Sequence, residues 1–185
     1  DHLKRLTGQQ FSVIDNKLDS SGRKARRLLM VDPPGDQDIL TCLTDLMSFI
    51  TNSTEHRFIT FVDSRKQTEQ LASVMRRTKD TENETDSLDL NQYERMNVWP
   101  YRAGYEAHDR KRIEEQLRHN QIRGVISTSA LELGVDLPNL TLGILYGLSN
   151  SATSYYQRIG RVGRHKDGTV IVVNNGSVLS NRVFR

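Results

Sequence analysis

The chain reads as a single α/β domain built on a mostly parallel sheet with helices on both faces. Short apolar runs, rich in β-branched residues, recur at residues 58–62, 124–128, 140–146 and 168–173. Between them stand segments whose apolar residues fall at helical spacing. Strands that are apolar throughout, instead of alternating, require cover on both sides, the situation of a parallel sheet between helices. With 185 residues, 36% of them hydrophobic, the chain can bury one substantial core, and nothing in its length requires two domains.

Charge and cysteine content narrow the function classes. Lys and Arg number 26 against 23 Asp and Glu, a formal net charge of +3, which permits a polyanionic partner without demonstrating one. The single cysteine, Cys42, excludes an internal disulfide and a cysteine-based zinc site. Its neighbours Ile39, Leu40, Leu43 and Leu46 make it read as a small buried apolar residue. No apolar run approaches the 18 or so residues of a membrane span and no signal-peptide pattern is present, so an intracellular protein is expected.

Residues 1–26 are polar and irregular, with a basic cluster at Arg23, Lys24, Arg26 and Arg27. Leu28 to Val31 reads as a buried strand halted by Pro33, Pro34 and Gly35. Residues 1–35 are therefore taken as a lead-in carrying the first strand, 36–176 as the domain proper and 177–185 as a truncated tail. A helix is expected from Asp36 to about Thr51 on the spacing of Ile39, Leu43, Leu46, Met47 and Ile50. After the strand at 58–62, Ser64 and Gln67 fit a capping box that opens a helix with Leu71, Ala72 and Met75 on its apolar face. Residues 78–97 are acidic and poor in apolar residues, an exposed insertion. A short extended segment then leads to Gly104, and a helix from about Glu106 to Asn120 carries Ile113 and Leu117 inward.

The most distinctive stretch is residues 155–164, Tyr-Tyr-Gln-Arg-Ile-Gly-Arg-Val-Gly-Arg. Arg158, Arg161 and Arg164 recur every third residue, separated by Gly160 and Gly163. Arginine's planar fork of donors matches phosphate oxygens, and the glycines remove bulk where backbone must turn or approach a ligand. A lone Arg-x-x-Arg would be read as a solvated helix end; the full pattern is more specific than that. Upstream, Thr128 ends a strand, Gly134 follows six residues later and Asp136 two beyond that. Thr128 can donate to a phosphate, a contact that positions a strand without reading its bases. Asp136, acceptor-only, suits a ribose hydroxyl or an arginine from another lobe, or is simply a turn residue before Pro138.

Together these segments resemble the second lobe of superfamily-two helicases. Gln-Arg-x-Gly-Arg-x-Gly-Arg resembles motif VI, Thr128 through Asp136 motif V, and Phe-Val-Asp-Ser-Arg at 61–65 motif IV. Tyr-Arg-Ala-Gly-Tyr at 101–105 is similar to the Tyr-His-Ala-Gly element of many helicases, with Arg102 where histidine often stands. That form looks closest to the MrfA-type and RecQ-like accessory DNA helicases. The resemblance runs from about Arg57 to Asn174 and implies a RecA-like fold, P-loop-NTPase-like in architecture.

The resemblance also implies site residues. Arg161 and Arg164 would be arginine fingers for ATP held by a partner lobe, with Arg158, Gly134 and Asp136 at the same nucleotide. Arg158 is placed either there or as a brace within the motif. Ser64, Arg65, Arg102, Gly104 and Thr128 would hold the backbone of single-stranded nucleic acid, DNA more than RNA. Neither a Gly-x-x-x-x-Gly-Lys-Ser/Thr phosphate loop nor an Asp-Glu-x-Asp/His magnesium motif occurs in the chain. ATP and Mg2+ are thus expected to sit mainly on an N-terminal RecA-like lobe of the same parent, and the chain alone should not hydrolyse ATP. No metal site and no membrane partner are expected, and the location would be cytoplasm or nucleoid. Two other readings compete: a passive nucleic-acid-binding module with this fold, and a dinucleotide-binding domain, against which the lack of Gly-x-Gly-x-x-Gly after the first strand counts.

Overall fold

The computed structural model describes residues 2–12, 24–35, 37–77, 97–132, 134–135 and 137–184. Most of the acidic insertion, the segment 13–23, Leu133 and Asp136 lie outside the described residues. The strands are β1 (Arg26–Val31), β2 (Phe58–Phe61), β3 (Val98–Tyr101), β4 (Gly124–Ser127), β5 (Leu142–Tyr146) and β6 (Gly168–Val173). They form one six-stranded sheet in the order β1-β6-β5-β2-β4-β3, with every pairing parallel. This is the α/β architecture expected from the apolar runs.

The helices are α1 (His2–Thr7), α2 (Ile39–Ser53), α3 (Arg65–Arg77), α4 (Ala107–Arg118), α5 (Ala152–Ile159) and α6 (Val178–Phe184), with a 3-10 turn at Ser129–Leu131. Right-handed crossovers send α2 and α3, whose connections run towards β3, to one face of the sheet. The connections that run back carry α4, the 3-10 turn and α5 to the other. Side chains follow this division. Thr60 reaches Met47 of α2 at 3.3 Å, whereas its neighbour Phe61 lies under Arg158 of α5. The core that results includes Trp99, Phe58, Phe61, Leu43, Met47, Ile113 and Ile144, all fully buried.

Local signals set the helix ends. Asp38 accepts from the Thr41 amide at 3.0 Å and caps α2, so that helix starts three residues after Asp36, where the periodicity alone would begin it. Ser64 and Gln67 form the reciprocal capping box of α3: the Gln67 amide donates to Ser64 Oγ at 3.2 Å and the Ser64 amide to Gln67 Oε1 at 3.1 Å.

Four expectations need correction. β1 is exposed along its whole length, with Leu28 at 50% and Val31 at 39% accessible. It pairs with β6 on one side and forms the sheet's edge, and an apolar run does not by itself specify what covers it. Cys42 is half-buried, on the flank of α2 beside the inward-facing Leu43. Residues 2–7 form a short helix where an irregular segment was expected, and 178–184 form α6 where only a tail was. After Thr128 the chain makes a single 3-10 turn.

Candidate functional site

Register brings the first set of predicted residues together. Phe61, Ser127 and Tyr101 lie side by side on β2, β4 and β3, so the chain leaves these three adjacent strands at one level. Ser64 and Arg65 emerge from β2, Thr128 from β4, and Arg102 and Gly104 from β3. Ser64, Arg65 and Gly104 are exposed, and Arg102 and Thr128 half-buried. An Arg65 guanidinium nitrogen stands 4.0 Å from where a Cβ on Gly104 would be, so the glycine leaves the space in front of Arg65 open.

Arg102 is held in place. Its Nε is 2.9 Å from Glu69 Oε1 on α3, and its guanidinium lies 4.7 Å from the centre of the Tyr105 ring. The Tyr105 hydroxyl donates to the same Glu69 oxygen at 3.3 Å. Sequence reasoning missed Glu69, because a carboxylate on a helix flank carries no mark until β3 is placed beside it. Tyr101, just inside this edge, donates to Glu114 Oε1 at 2.7 Å; burial and that carboxylate push its phenol up to about 12.

The arginine motif forms a second cluster on the α5 face. Ser151 caps α5, accepting from the Ser154 amide at 3.1 Å. Arg158 at the helix end is 6% exposed, and its Nε donates to Glu132 Oε1 at 2.8 Å. Its Nη1 lies 3.7 Å from Asp63, and the guanidinium stacks 5.3 Å from the Phe61 ring centre. Ser154 Oγ donates to the same Glu132 oxygen at 2.8 Å. Glu132, 8% exposed, is therefore the anionic centre of this cluster, and the sequence reading passed over it. Its signal was present: a glutamate among apolar residues between Thr128 and Gly134 must be solvated or paired. Burial raises the Asp63 carboxyl above its ordinary range, and Arg158 pulls in the opposite direction.

Arg161 is also buried. Its Nε and Nη2 donate to the Glu132 carbonyl at 3.2 and 2.5 Å, and Nη1 donates to the Val135 carbonyl. Arg164 is exposed and donates through Nε to the Gly160 carbonyl at 3.1 Å. Gly163 between them has φ +69°, a left-handed conformation that disfavours any side chain. Gly134 is likewise left-handed at φ +82° and exposed, and among the described residues no atom lies within 4 Å of where a Cβ would stand. Asp136 lies outside the described residues. The two clusters meet at Asp63, which precedes Ser64 in the chain and contacts Arg158. Among the described residues no group of three or more His, Cys, Asp or Glu is arranged to hold a metal ion. No described helix is long and apolar enough to cross a membrane.

Residues 38–166 match the family described as the helicase conserved C-terminal domain, a span that contains every one of the predicted site residues. The chain belongs to that family. This helicase C-terminal domain is of the superfamily-two kind, as its relatives indicate. It is 29% identical to the ATP-dependent helicase YprA of Bacillus subtilis over 98% of the domain's chain and 24% of YprA. With the ATP-dependent helicase HRQ1 of Saccharomyces cerevisiae it shares 31% identity over 93% of its chain and 16% of HRQ1. Among solved structures, the DUF1998 helicase MrfA bound to DNA and AMPPNP superimposes with a TM-score of 0.76 at 27% identity, covering 97% of this chain and 24% of MrfA. The domain thus spans a quarter or less of each of these three relatives. Its sheet and helices are those of a RecA-like helicase C-terminal lobe.

Proposed function

We propose that this domain is the second lobe of an ATP-dependent DNA helicase or translocase, holding one strand's backbone and presenting arginines to a nucleotide on a first lobe. The observation that carries the reading is the level exit of β2, β4 and β3, which gathers Ser64, Arg65, Arg102, Gly104 and Thr128 on one edge. Two guanidinium groups, two hydroxyls and a glycine at one edge suit phosphates and sugars and carry no base-reading pattern. DNA is preferred over RNA because MrfA, bound to DNA in its solved structure, is similar across nearly the whole chain.

On the α5 face, the donor set fits the phosphates of ATP. Arg164 is exposed beside Gly163, and Gly134 leaves open space nearby in sequence to the carbonyls that hold Arg161. ATP supplies the hydrolysable phosphoanhydride, and Mg2+ belongs with it on the first lobe. Arg164 presents its charge outward. Arg161 fixes the 132–135 loop through two carbonyls, and it reaches phosphate by exchanging those bonds. Charge placed where the transferring phosphoryl group becomes anionic is worth roughly 10³–10⁵ in rate. Arg158, spent on Glu132 and Asp63, braces the motif and ties it to the nucleic-acid edge. In this reading residues 36–176 are the lobe, 78–97 its insertion, and 1–35 a lead-in whose strand joins the sheet.

ATP turnover by the intact parent chain, with and without single-stranded DNA and beside Arg164→Ala and Arg161→Ala, tests the proposal. Stimulation by DNA that collapses in Arg164→Ala is expected. Turnover indifferent to both DNA and the substitution would leave a passive binding module as the better account, and stimulation by RNA alone would move the substrate to RNA.

A further inference from the structure

The opposite edge of the sheet carries a second cationic cluster. One residue before their first strand pairings, Asn97, Arg123, Arg57 and Thr141 extend the ladder by backbone hydrogen bonds. The Arg123 amide donates to the Asn97 carbonyl at 2.7 Å, the Phe58 amide to the Arg123 carbonyl at 3.0 Å, and the Thr141 amide to the Arg57 carbonyl at 3.0 Å. Arg57, Arg123 and Thr141 thereby line a pocket of about 510 Å³ together with Glu55, Asn120, Asn139 and Lys166. Strand rise puts it about 15 Å from the Ser64 edge, at the other end of β2.

We propose that this pocket is a binding site for a phosphate group. Three cations face it against one carboxylate, Glu55, which is 96% exposed and pairs with Arg123 at 3.3 Å. Burial lowers the Arg57 pKa from its ordinary value, and the nearby charge of Arg123 lowers it further. Like charges brought together at a pocket, with the buried Nε of Arg57 lacking a hydrogen-bond partner among the described residues, are costly unless an anion joins them. Guanidinium forks match tetrahedral oxyanions, and the carboxamides of Asn120 and Asn139 and the Thr141 hydroxyl add neutral polar groups. Both asparagines hold left-handed backbone, φ 62° and 67°, which fixes the two loops that carry them. The volume falls within the range of small-ligand sites. The phosphate could be that of a small phosphorylated molecule or of a nucleic-acid strand; the chemistry is shared, and the site is independent of Arg161 and Arg164.

Titration of this chain with inorganic pyrophosphate by calorimetry is the test. Arg57 also donates to the Ile122 carbonyl, so its substitution disturbs folding as well as binding. The exposed Lys166 and the half-buried Arg123, whose side chain pairs with the exposed Glu55, therefore carry the experiment. Saturable binding is expected, weakened about tenfold or more in Arg123→Gln and in Lys166→Glu with unchanged circular dichroism; a tenfold loss corresponds to about 1.4 kcal/mol. No saturable binding, or binding unaffected by both substitutions, overturns the proposal. So does binding that is lost in Arg164→Ala instead, since the ligand would then sit at the arginine motif. Given the site, competition distinguishes the source: an unphosphorylated oligothymidylate competes if the strand backbone is the ligand, only its 5′-phosphorylated form if a strand end is, and neither if a small molecule is.

Discussion

Glu132 Oε1 accepts from Arg158 Nε at 2.8 Å in an interior where both residues are more than nine-tenths buried. This pair joins three of the helicase-like segments: Glu132 lies between Thr128 and Gly134, Arg158 opens the arginine series, and Asp63 beside Arg158 precedes Ser64. Through Arg158, α5 is thus tied both to Glu132 and to Asp63 beside the Ser64 edge.

Removing one partner of such a pair leaves a buried charge uncompensated. Glu132→Ala should destabilise the domain by about 3–5 kcal/mol. At this chain length that is a fall of roughly 6–20 °C in Tm, read by thermal circular dichroism. Glu132→Leu combined with Arg158→Met should recover most of the loss. A Glu132→Ala domain as stable as the parent would show that the pair contributes nothing.

Arg161 and Arg164 should separate in their effects. Arg164 is exposed, so Arg164→Ala should leave Tm within about 1 °C while lowering the parent's ATP turnover by about 10³. Arg161 is buried and donates to two main-chain carbonyls, so Arg161→Ala should lower both turnover and Tm. Parallel calorimetry and turnover assays on the two variants decide this. Equal stability losses would contradict the geometry.

At the opposite cluster, Arg102 should contribute through charge. Arg102→Gln should weaken single-stranded DNA binding by a similar factor for every sequence. It should also reduce the slope of log K against log salt by about 0.7, the value for one phosphate contact on a single strand. Fluorescence anisotropy at several salt concentrations measures both. An unchanged slope would mean that Arg102 serves only Glu69 and Tyr105.

Tyr101 gives a pH prediction. Its folded-state phenol titrates at about 12 against an ordinary 10.0, so the unfolded chain loses its proton first as pH rises. The stability contributed by the neutral phenol is therefore complete below pH 10 and is lost as pH rises towards 12. Burial also raises Tyr146 and Tyr155, so ultraviolet titration should show several late-ionising tyrosines, of which the Tyr101 midpoint alone should fall in Glu114→Gln, because its acceptor carboxylate holds the proton in place. A midpoint unmoved by that substitution would leave burial as the whole cause.

How the site was foreseen differs between its two halves. The capping box at Ser64 and Gln67 was legible because capping is local: donor and acceptor lie within one turn. The arginine repeat was legible as a pattern, but its division of labour was not. Spacing treats Arg158, Arg161 and Arg164 alike, whereas Glu132 and the 132–135 carbonyls reach the first two and leave the third at the surface. Glu69 was invisible for the same reason, since its partners Arg102 and Tyr105 lie more than thirty residues away.

The sequence by itself determined the alternation of strands and helices, the parallel sheet and the helicase-like motifs. Those depend on periodicity and on residue types a few positions apart, which the local backbone reads directly. Only the tertiary structure decided that β1 lies exposed at an edge, that Arg158 and Arg161 are buried while Arg164 is not, and that Arg57, Arg123 and Lys166 share one pocket. Burial and charge pairing are properties of space. They are settled when strand order and register bring distant residues to the same level, and no window of sequence contains that information.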